Sequence, residues 1–201
     1  MFIQIKNLSK KFKNNLAVDN INFNIEKNTT VGLLGANGCG KTTSIGMMLG
    51  LIKPSSGEIL IDDKNIEKFQ RIDILTRMNF ASPYVELPKK LTVHQNLEVY
   101  GRMYDVTNLR EKILEISKNL NIQSFLNKKT GELSSGQKNR VSLAKALIND
   151  PKVLLLDEPT ASLDPEVGDF VRTFLEDYKK EKKISILLAS HNMNEVTRLC
   201  K

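Results

Sequence analysis

"GANGCGKTT", residues 35–43, decides the fold. It satisfies the spacing G-x-x-x-x-G-K-[ST], follows the apolar run "TVGLLG" (30–35) and leads into the helical run "TTSIGMMLG" (42–50). That order of strand, loop and helix is the one in which such a string cradles phosphate. Gly35, Gly38 and Gly40 let the backbone curl, with Ala36, Asn37 and Cys39 between them, so that N–H groups face inward. The helix start, with Thr43 in its first turn, adds a partial positive charge; Lys41 is placed to reach the β- and γ-phosphates and the Thr42 hydroxyl to ligate Mg²⁺. The bland reading of the same string is a glycine turn with a surface lysine.

Two more continuous apolar runs, "VLLLD" (153–157) and "ISILLAS" (184–190), match the run before the loop. Such runs are expected of parallel strands covered on both faces, and ligands gather beyond the carboxyl ends of these strands. Near the N-terminus Ile3 and Ile5 alternate with Gln4 and Lys6, and Ile21, Phe23 and Ile25 with Asn22 and Asn24, the period of half-buried antiparallel strands. Residues 92–104 place Val93, Leu97 and Tyr100 on one helical stripe, and residues 109–120 do so with Leu109, Ile113, Ile116 and Leu120. The fold class read from this is α/β, a P-loop NTPase with a mostly parallel core sheet, an N-terminal antiparallel portion and an inserted helical subdomain. Its expected limits are 1–83 and 133–201 for the nucleotide-binding body and 84–132 for the helical part.

Composition narrows the classes. The 201 residues carry a net charge of +7, but the clusters "KK" at 10–11, 89–90 and 128–129 and "KKEKK" at 179–183 are scattered, without interleaved aromatics. Solvated surface lysines account for them better than a nucleic-acid face. Cys39 and Cys200 lack metal-ligand spacing and "MFIQIKNLSKKF" lacks a secretory apolar core, so reduced thiols in a cytoplasm are expected. No apolar run approaches the ~20 residues of a spanning helix. A membrane, if involved, is crossed by another chain.

Gripping phosphate does not cleave it; hydrolysis needs a group to orient or deprotonate water. "VLLLDEPT" supplies Asp157 for Mg²⁺ and Glu158 as general base, the alternative being a lead into the turn at Pro159. His191, beyond the third apolar run, is either a hydrogen-bonded structural histidine or a contact to the γ-phosphate and to Glu158. In "LSSGQ" Ser134 and Gln137 have capping-box spacing. The helix that follows, with Val141, Ala144, Leu147 and Ile148 on its apolar face, also presents hydroxyls, the Gly136 backbone and its dipole to an anion. The chain therefore has two anion-binding helix starts.

The order "GANGCGKTT", "LSSGQ", "VLLLDEPT", "ASLD" and "ASHN" resembles the nucleotide-binding domain of ATP-binding cassette (ABC) proteins along nearly the whole chain. The resemblance implies ATP and Mg²⁺ as cofactors. It implies a head-to-tail homodimer or paired ABC subunit, in which Ser134, Ser135, Gly136 and Gln137 bind the γ-phosphate held by the partner's loop. It implies Phe12 stacked on adenine with Val18 near the base, although a strand-end Phe can equally be packing. Residues 161–164 match the loop that crosses the interface, with Asp164 its best single residue.

Three departures stand out. Where the family places a glutamine that contacts Mg²⁺ and the attacking water, this chain has Ser82 and Pro83; a serine hydroxyl can take part of that role, proline cannot, and Gln95 lies too deep in the next helix. Ser135 replaces the first glycine of the signature, which is harmless if the backbone there is helical, and Cys39 in the loop makes nucleotide binding sensitive to thiol alkylation. Last, the chain stops after Asn192 and Glu195, a further capping pattern, and an apolar face of Val196, Leu199 and Cys200, where family members continue into further strands; a shortened product of reduced stability is expected.

The leading expectation is the ATPase subunit of an ABC transporter, an exporter with a separate integral membrane permease, held at the inner face of the cell membrane. Tyr84, Val85 and Leu87 in "SPYVELPKKLTV" (82–93) would dock a short helix of that permease. The competing readings are a non-transport ABC ATPase acting on ribosomes or DNA and a non-hydrolysing nucleotide-binding module.

Overall fold

The computed structural model describes residues 2–67, 71–161 and 163–200. The chain runs β1 (Ile3–Phe12), β2 (Asn15–Ile25), β3 (Thr30–Leu34), α1 (Lys41–Met48), β4 (Ser56–Ile61), β5 (Lys64–Asn65), α2 (Arg71–Leu75), β6 (Met78–Ala81), α3 (Val93–Met103) and α4 (Leu109–Asn119). It continues through α5 (Ser135–Leu147), β7 (Val153–Asp157), α6 (Pro165–Lys182), β8 (Ser185–Ser190) and α7 (Met193–Leu199).

The three apolar runs become β3, β7 and β8 of one parallel sheet of order β3-β8-β7-β6, with Leu33 opposite Ala189, Leu187 opposite Leu155 and Leu155 opposite Phe80. Because successive side chains of a strand point to opposite faces, the sheet divides the interior. Val153, Leu155, Leu187 and Ala189 join Ile45, Met47 and Met48 of α1 and the isoleucines of the second sheet, whereas Leu154, Leu156, Ile186 and Leu188 join Leu97, Ile113, Val141, Leu147 and Leu175 of the helices. Each fully buried leucine of this kind contributes about 1.5–3 kcal/mol relative to exposure. Continuous apolar sequence is thus what a strand with two covered faces requires.

The second sheet is antiparallel, order β2-β1-β4-β5, and pairs Ile3 with Ile25 and Ile5 with Phe23 as the alternation predicts. Its third strand, β4, pairs Ile59 with Ile5 and Ile61 with Ile3 and was not anticipated from the sequence.

Between β6 and α5 the predicted helices occur as α3 and α4, and the sole β pairing among the described residues there is the bridge between Thr92 and Lys129. Thr92 and Gln95 close a capping box on α3, the Gln95 amide oxygen accepting from Thr92 N at 2.9 Å, so Gln95 is committed to the helix start. Val93 and Leu97 of α3 and Ile113 and Ile116 of α4 are buried against α5. On α5, Lys145 donates to Phe80 O at 2.7 Å and to Asn79 Oδ1 at 3.4 Å, and its Nζ lies 5.6 Å from the centre of the Tyr100 ring. No carboxylate pairs with it among the described residues, and burial pushes its ammonium down to about 8. No helix is long and apolar enough to cross a membrane among the described residues.

Candidate nucleotide site

The carboxyl ends of β3, β7 and β8 lie side by side, and each delivers one part of the site. From β3 the chain enters the glycine loop. Gly38 and Gly40 take φ of 83° and 97°, in the left-handed region, and a Cβ on Gly40 would stand 2.3 Å from Ala17 O. These two positions need glycine for conformation and Gly40 for space as well. Gly35 has no positive φ; a Cβ there would meet the Cys39 side chain, its sulfur at 2.5 Å and its Cβ at 3.7 Å. Cys39 itself is exposed.

Lys41, first residue of α1, curls back so that Nζ donates to Gly35 O at 2.6 Å and to Ala36 O at 3.1 Å and lies 3.6 Å from Glu158 Oε1. Thr42 donates from Oγ1 to Asp157 Oδ2 at 2.7 Å. Asp157 ends β7 with 2% exposure; burial holds its carboxyl above the ordinary carboxylate range, while the Thr42 hydrogen bond pulls the other way. This hydroxyl and carboxylate suit Mg²⁺, which takes one or two protein oxygens and completes its octahedron with phosphate and water.

Glu158 follows at φ 53°, a left-handed conformation that a non-glycine residue adopts at a cost of order 1–3 kcal/mol. Its N–H is held by Ala189 O at 2.8 Å, which fixes the turn. The carboxylate is nearly buried, Oε1 has no hydrogen-bond partner, and Oε2 lies 2.8 Å from His191 Nδ1 at the end of β8. A buried acceptor without a hydrogen bond costs about 1–3 kcal/mol, here offset in part by the Lys41 ammonium 3.6 Å from Oε1. His191 remains half exposed, its Nδ1 beside the Glu158 carboxylate, and does not itself wall the cleft.

The cleft is about 410 Å³ and is walled by Leu16, Asn37, Lys41, Thr43, Tyr84 and Glu158, among others. Leu16, half exposed, and Tyr84, 70% exposed, were not read as site residues. Phe12 is exposed, with Lys10 Nζ 4.9 Å over its ring, but stands outside the cleft wall, so it is not buried packing either. Val18 is buried behind the loop, 3.0 Å from where a Gly40 Cβ would be, and supports the loop from beneath.

The loop after β6 corrects one expectation. Ser82 is 3% exposed; its hydroxyl accepts from Tyr84 N at 3.3 Å and its carbonyl accepts from Ser142 of α5 at 3.3 Å. Ser82 does not wall the cleft, and Tyr84 is the side chain of this loop that does. Tyr84 also borders a second groove, about 350 Å³, shared by Val85 and Leu87 with Leu133, Ser135 and Val141.

Ser134 caps α5, its Oγ accepting from Gln137 N at 3.3 Å while Gln137 Oε1 accepts from Ser134 N at 3.0 Å. Ser135 is helical, so a serine there carries no backbone strain. Gly136 leaves room, its nearest neighbours to a Cβ being Val167 and Leu163 at 3.7 and 3.8 Å. These four residues do not wall the Lys41 cleft. Asp164, exposed, sits at the start of α6 before Pro165 with no side-chain cap bond, and Ser162 lies outside the described residues. At α7 the anticipated reciprocal cap is only half made: Asn192 Oδ1 accepts from Asn194 N and Glu195 N, but the Glu195 carboxylate turns away to Thr160 and Ser190.

Comparison with known proteins gives a family model described as "ABC transporter" over residues 18–161. The chain is 37% identical over 191 residues to the ABC transporter ATP-binding protein NatA of Bacillus subtilis, covering 92% of this chain and 75% of that protein. It is 36% identical to the Nod factor export ATP-binding protein I of Burkholderia lata (98% and 65% covered). It is also 36% identical to the methionine import ATP-binding protein MetN of Staphylococcus haemolyticus (98% and 59%). It thus spans less than two thirds of the latter two. Among solved structures, the ATP-binding cassette MJ0796, a dimer in a post-hydrolysis state bound to ADP and Pi, superposes with a TM-score of 0.89 at 28% identity, covering 98% of this chain and 90% of that one.

Proposed function

Since the chain belongs to the ABC transporter family as an ATP-binding cassette, we propose that two such cassettes close head to tail around two ATP molecules and that hydrolysis drives a separate membrane subunit. The observation that carries this reading is the division of the site: the cleft of Lys41, Thr42, Asp157 and Glu158 is assembled on one face, while the Ser134–Gln137 helix start of the same chain does not wall it. Each chain then offers one half of two different sites.

Within its own half, Lys41 exchanges its loop carbonyls for the β- and γ-phosphates, and Thr42 and Asp157 would hold Mg²⁺, which would supply charge neutralisation to the triphosphate. Glu158, whose buried Oε1 has no hydrogen-bond partner and only the Lys41 ammonium nearby at 3.6 Å, takes the proton of the attacking water, and His191 orients Glu158 and reaches the γ-phosphate. Ser134, Ser135, Gly136 and Gln137 supply N–H groups, hydroxyl and dipole to the partner's γ-phosphate, and Asp164 lies at the seam. Phe12 and Leu16 are the apolar surfaces on offer to the base. The groove beside Tyr84, Val85 and Leu87, where the helical part 84–132 meets α5, receives the membrane subunit and holds the cassette at the inner face of the membrane. Export is the proposed direction, in keeping with the Nod factor relative.

The test is turnover per protomer against protein concentration, beside Glu158→Gln. Turnover should rise with concentration to a plateau, and Glu158→Gln should keep ATP binding while losing about 10²–10⁴ in rate. A dilute lone protomer working at the plateau rate sinks the paired-site reading, and an active Glu158→Gln removes the base.

A further inference from the structure

Glu195 lies on α7, outside the cleft, with 2% exposure. No lysine, arginine or histidine pairs with it among the described residues. Its two oxygens instead take two hydroxyls from two different strand ends: Thr160 Oγ1 donates to Oε1 at 2.6 Å, and Ser190 Oγ donates to Oε2 at 2.7 Å. Thr160 follows Glu158 by two residues on the way to Asp164, and Ser190 directly precedes His191. One buried carboxylate therefore ties the interface loop to the histidine strand.

The geometry at Ser190 gives the arrangement its meaning. A serine hydroxyl has one proton. Ser190 Oγ stands 2.7 Å from Glu195 Oε2 but 3.5 Å from Glu158 Oε2, and it accepts from Asn192 N at 3.0 Å. The shorter contact takes the proton, and one lone pair accepts from the backbone. We propose that Glu195 is a positioning residue for the reaction: by holding the Ser190 proton it leaves Glu158 Oε2 to His191 Nδ1, 2.8 Å away, and by holding Thr160 it anchors the loop to Asp164. Without Glu195 the Ser190 hydroxyl turns to Glu158 Oε2, 3.5 Å away, competes there with His191 and pulls the carboxylate out of the orientation that presents Oε1 to the attacking water. The inference rests on the reading of Glu158 as the base.

Glu195→Met keeps side-chain length and removes both acceptors. In the full chain, kcat for ATP should fall about tenfold or more, while KM and the affinity for a non-hydrolysable ATP analogue stay within about twofold. Glu195→Gln, whose amide can accept from one hydroxyl and donate to the other, should recover most of the turnover. Adding Ser190→Ala to Glu195→Met removes the competing donor and should raise kcat again, a rescue that a merely structural role does not give. If Glu195→Met fails to fold, Glu195→Asp, too short to span both hydroxyls, replaces it with the same expectations. Parental turnover in the Glu195 variant, a kcat loss that only tracks lost analogue binding, or a double variant no faster than the single one overturns the inference. A parental protein with no ATPase activity overturns instead the function on which it rests.

Discussion

Lys145 makes stability depend on pH in a way that can be computed from its surroundings. Its ammonium is buried against Phe80 O, Asn79 and the Tyr100 ring without a carboxylate, and burial lowers it from 10.5 to about 8. A base held below its unfolded value binds fewer protons when folded, so the penalty is fully present below about pH 8, is relieved as pH rises through that value, and is gone above 10.5. The difference corresponds to about 3 kcal/mol, of which about 2 kcal/mol should be recovered between pH 7 and 9.5. Lys145→Met removes the charge but orphans Phe80 O, a loss of about 1–2 kcal/mol. At pH 7 the variant should therefore be more stable than the parent by about 1–2 kcal/mol, and at pH 9.5 no more stable than it or less stable by up to about 1 kcal/mol. Urea unfolding of both proteins at the two pH values reads this directly, since other titrations cancel in the comparison. Parallel pH dependences would refute the reasoning, because they would show that Lys145 keeps its proton at no cost in the folded state.

The remaining predictions concern the cleft and its border. Gly40→Ala places a Cβ 2.3 Å from Ala17 O at a φ of 97°, so ATP affinity should fall by at least about tenfold in equilibrium binding, and unchanged affinity would show that the loop tolerates the shift. Tyr84→Ser with Leu87→Ser removes apolar surface from the groove beside α5; co-purification with the membrane subunit should be lost while the isolated cassette still folds, and intact assembly would exclude that groove as the docking surface.

Much of the architecture was legible because it depends on local chemistry. "TVGLLG", "VLLLD" and "ISILLAS" reveal two-sided burial through their lack of polar alternation, and each became a strand of the parallel sheet. The stripes of α3 and α4 appear within a few residues of their observed bounds for the same reason. β4 was missed because "SGEILI" shows only two alternating isoleucines, and its place is set by β1, some fifty residues away in sequence.

In the site, the phosphate loop and the Asp157–Glu158 pair could be read because their spacing along the chain is their spacing in space. Ser82, Tyr84 and Glu195 could not. Which of two neighbours faces the cleft depends on how the loop after β6 is pinned by Ser142, and Glu195 matched a local capping pattern while its carboxylate went to Thr160 and Ser190. A capping motif predicts the bonds available within one turn, and tertiary donors of better geometry can outcompete them.

The curled posture of Lys41 changes how its replacement should be interpreted. Its ammonium rests on Gly35 O and Ala36 O, so on the proposed reading phosphate capture would be an exchange of partners rather than a gain of new ones. The drop in affinity measured for Lys41→Met will understate the strength of the lysine–phosphate contact by whatever the two carbonyl bonds contribute to the free protein.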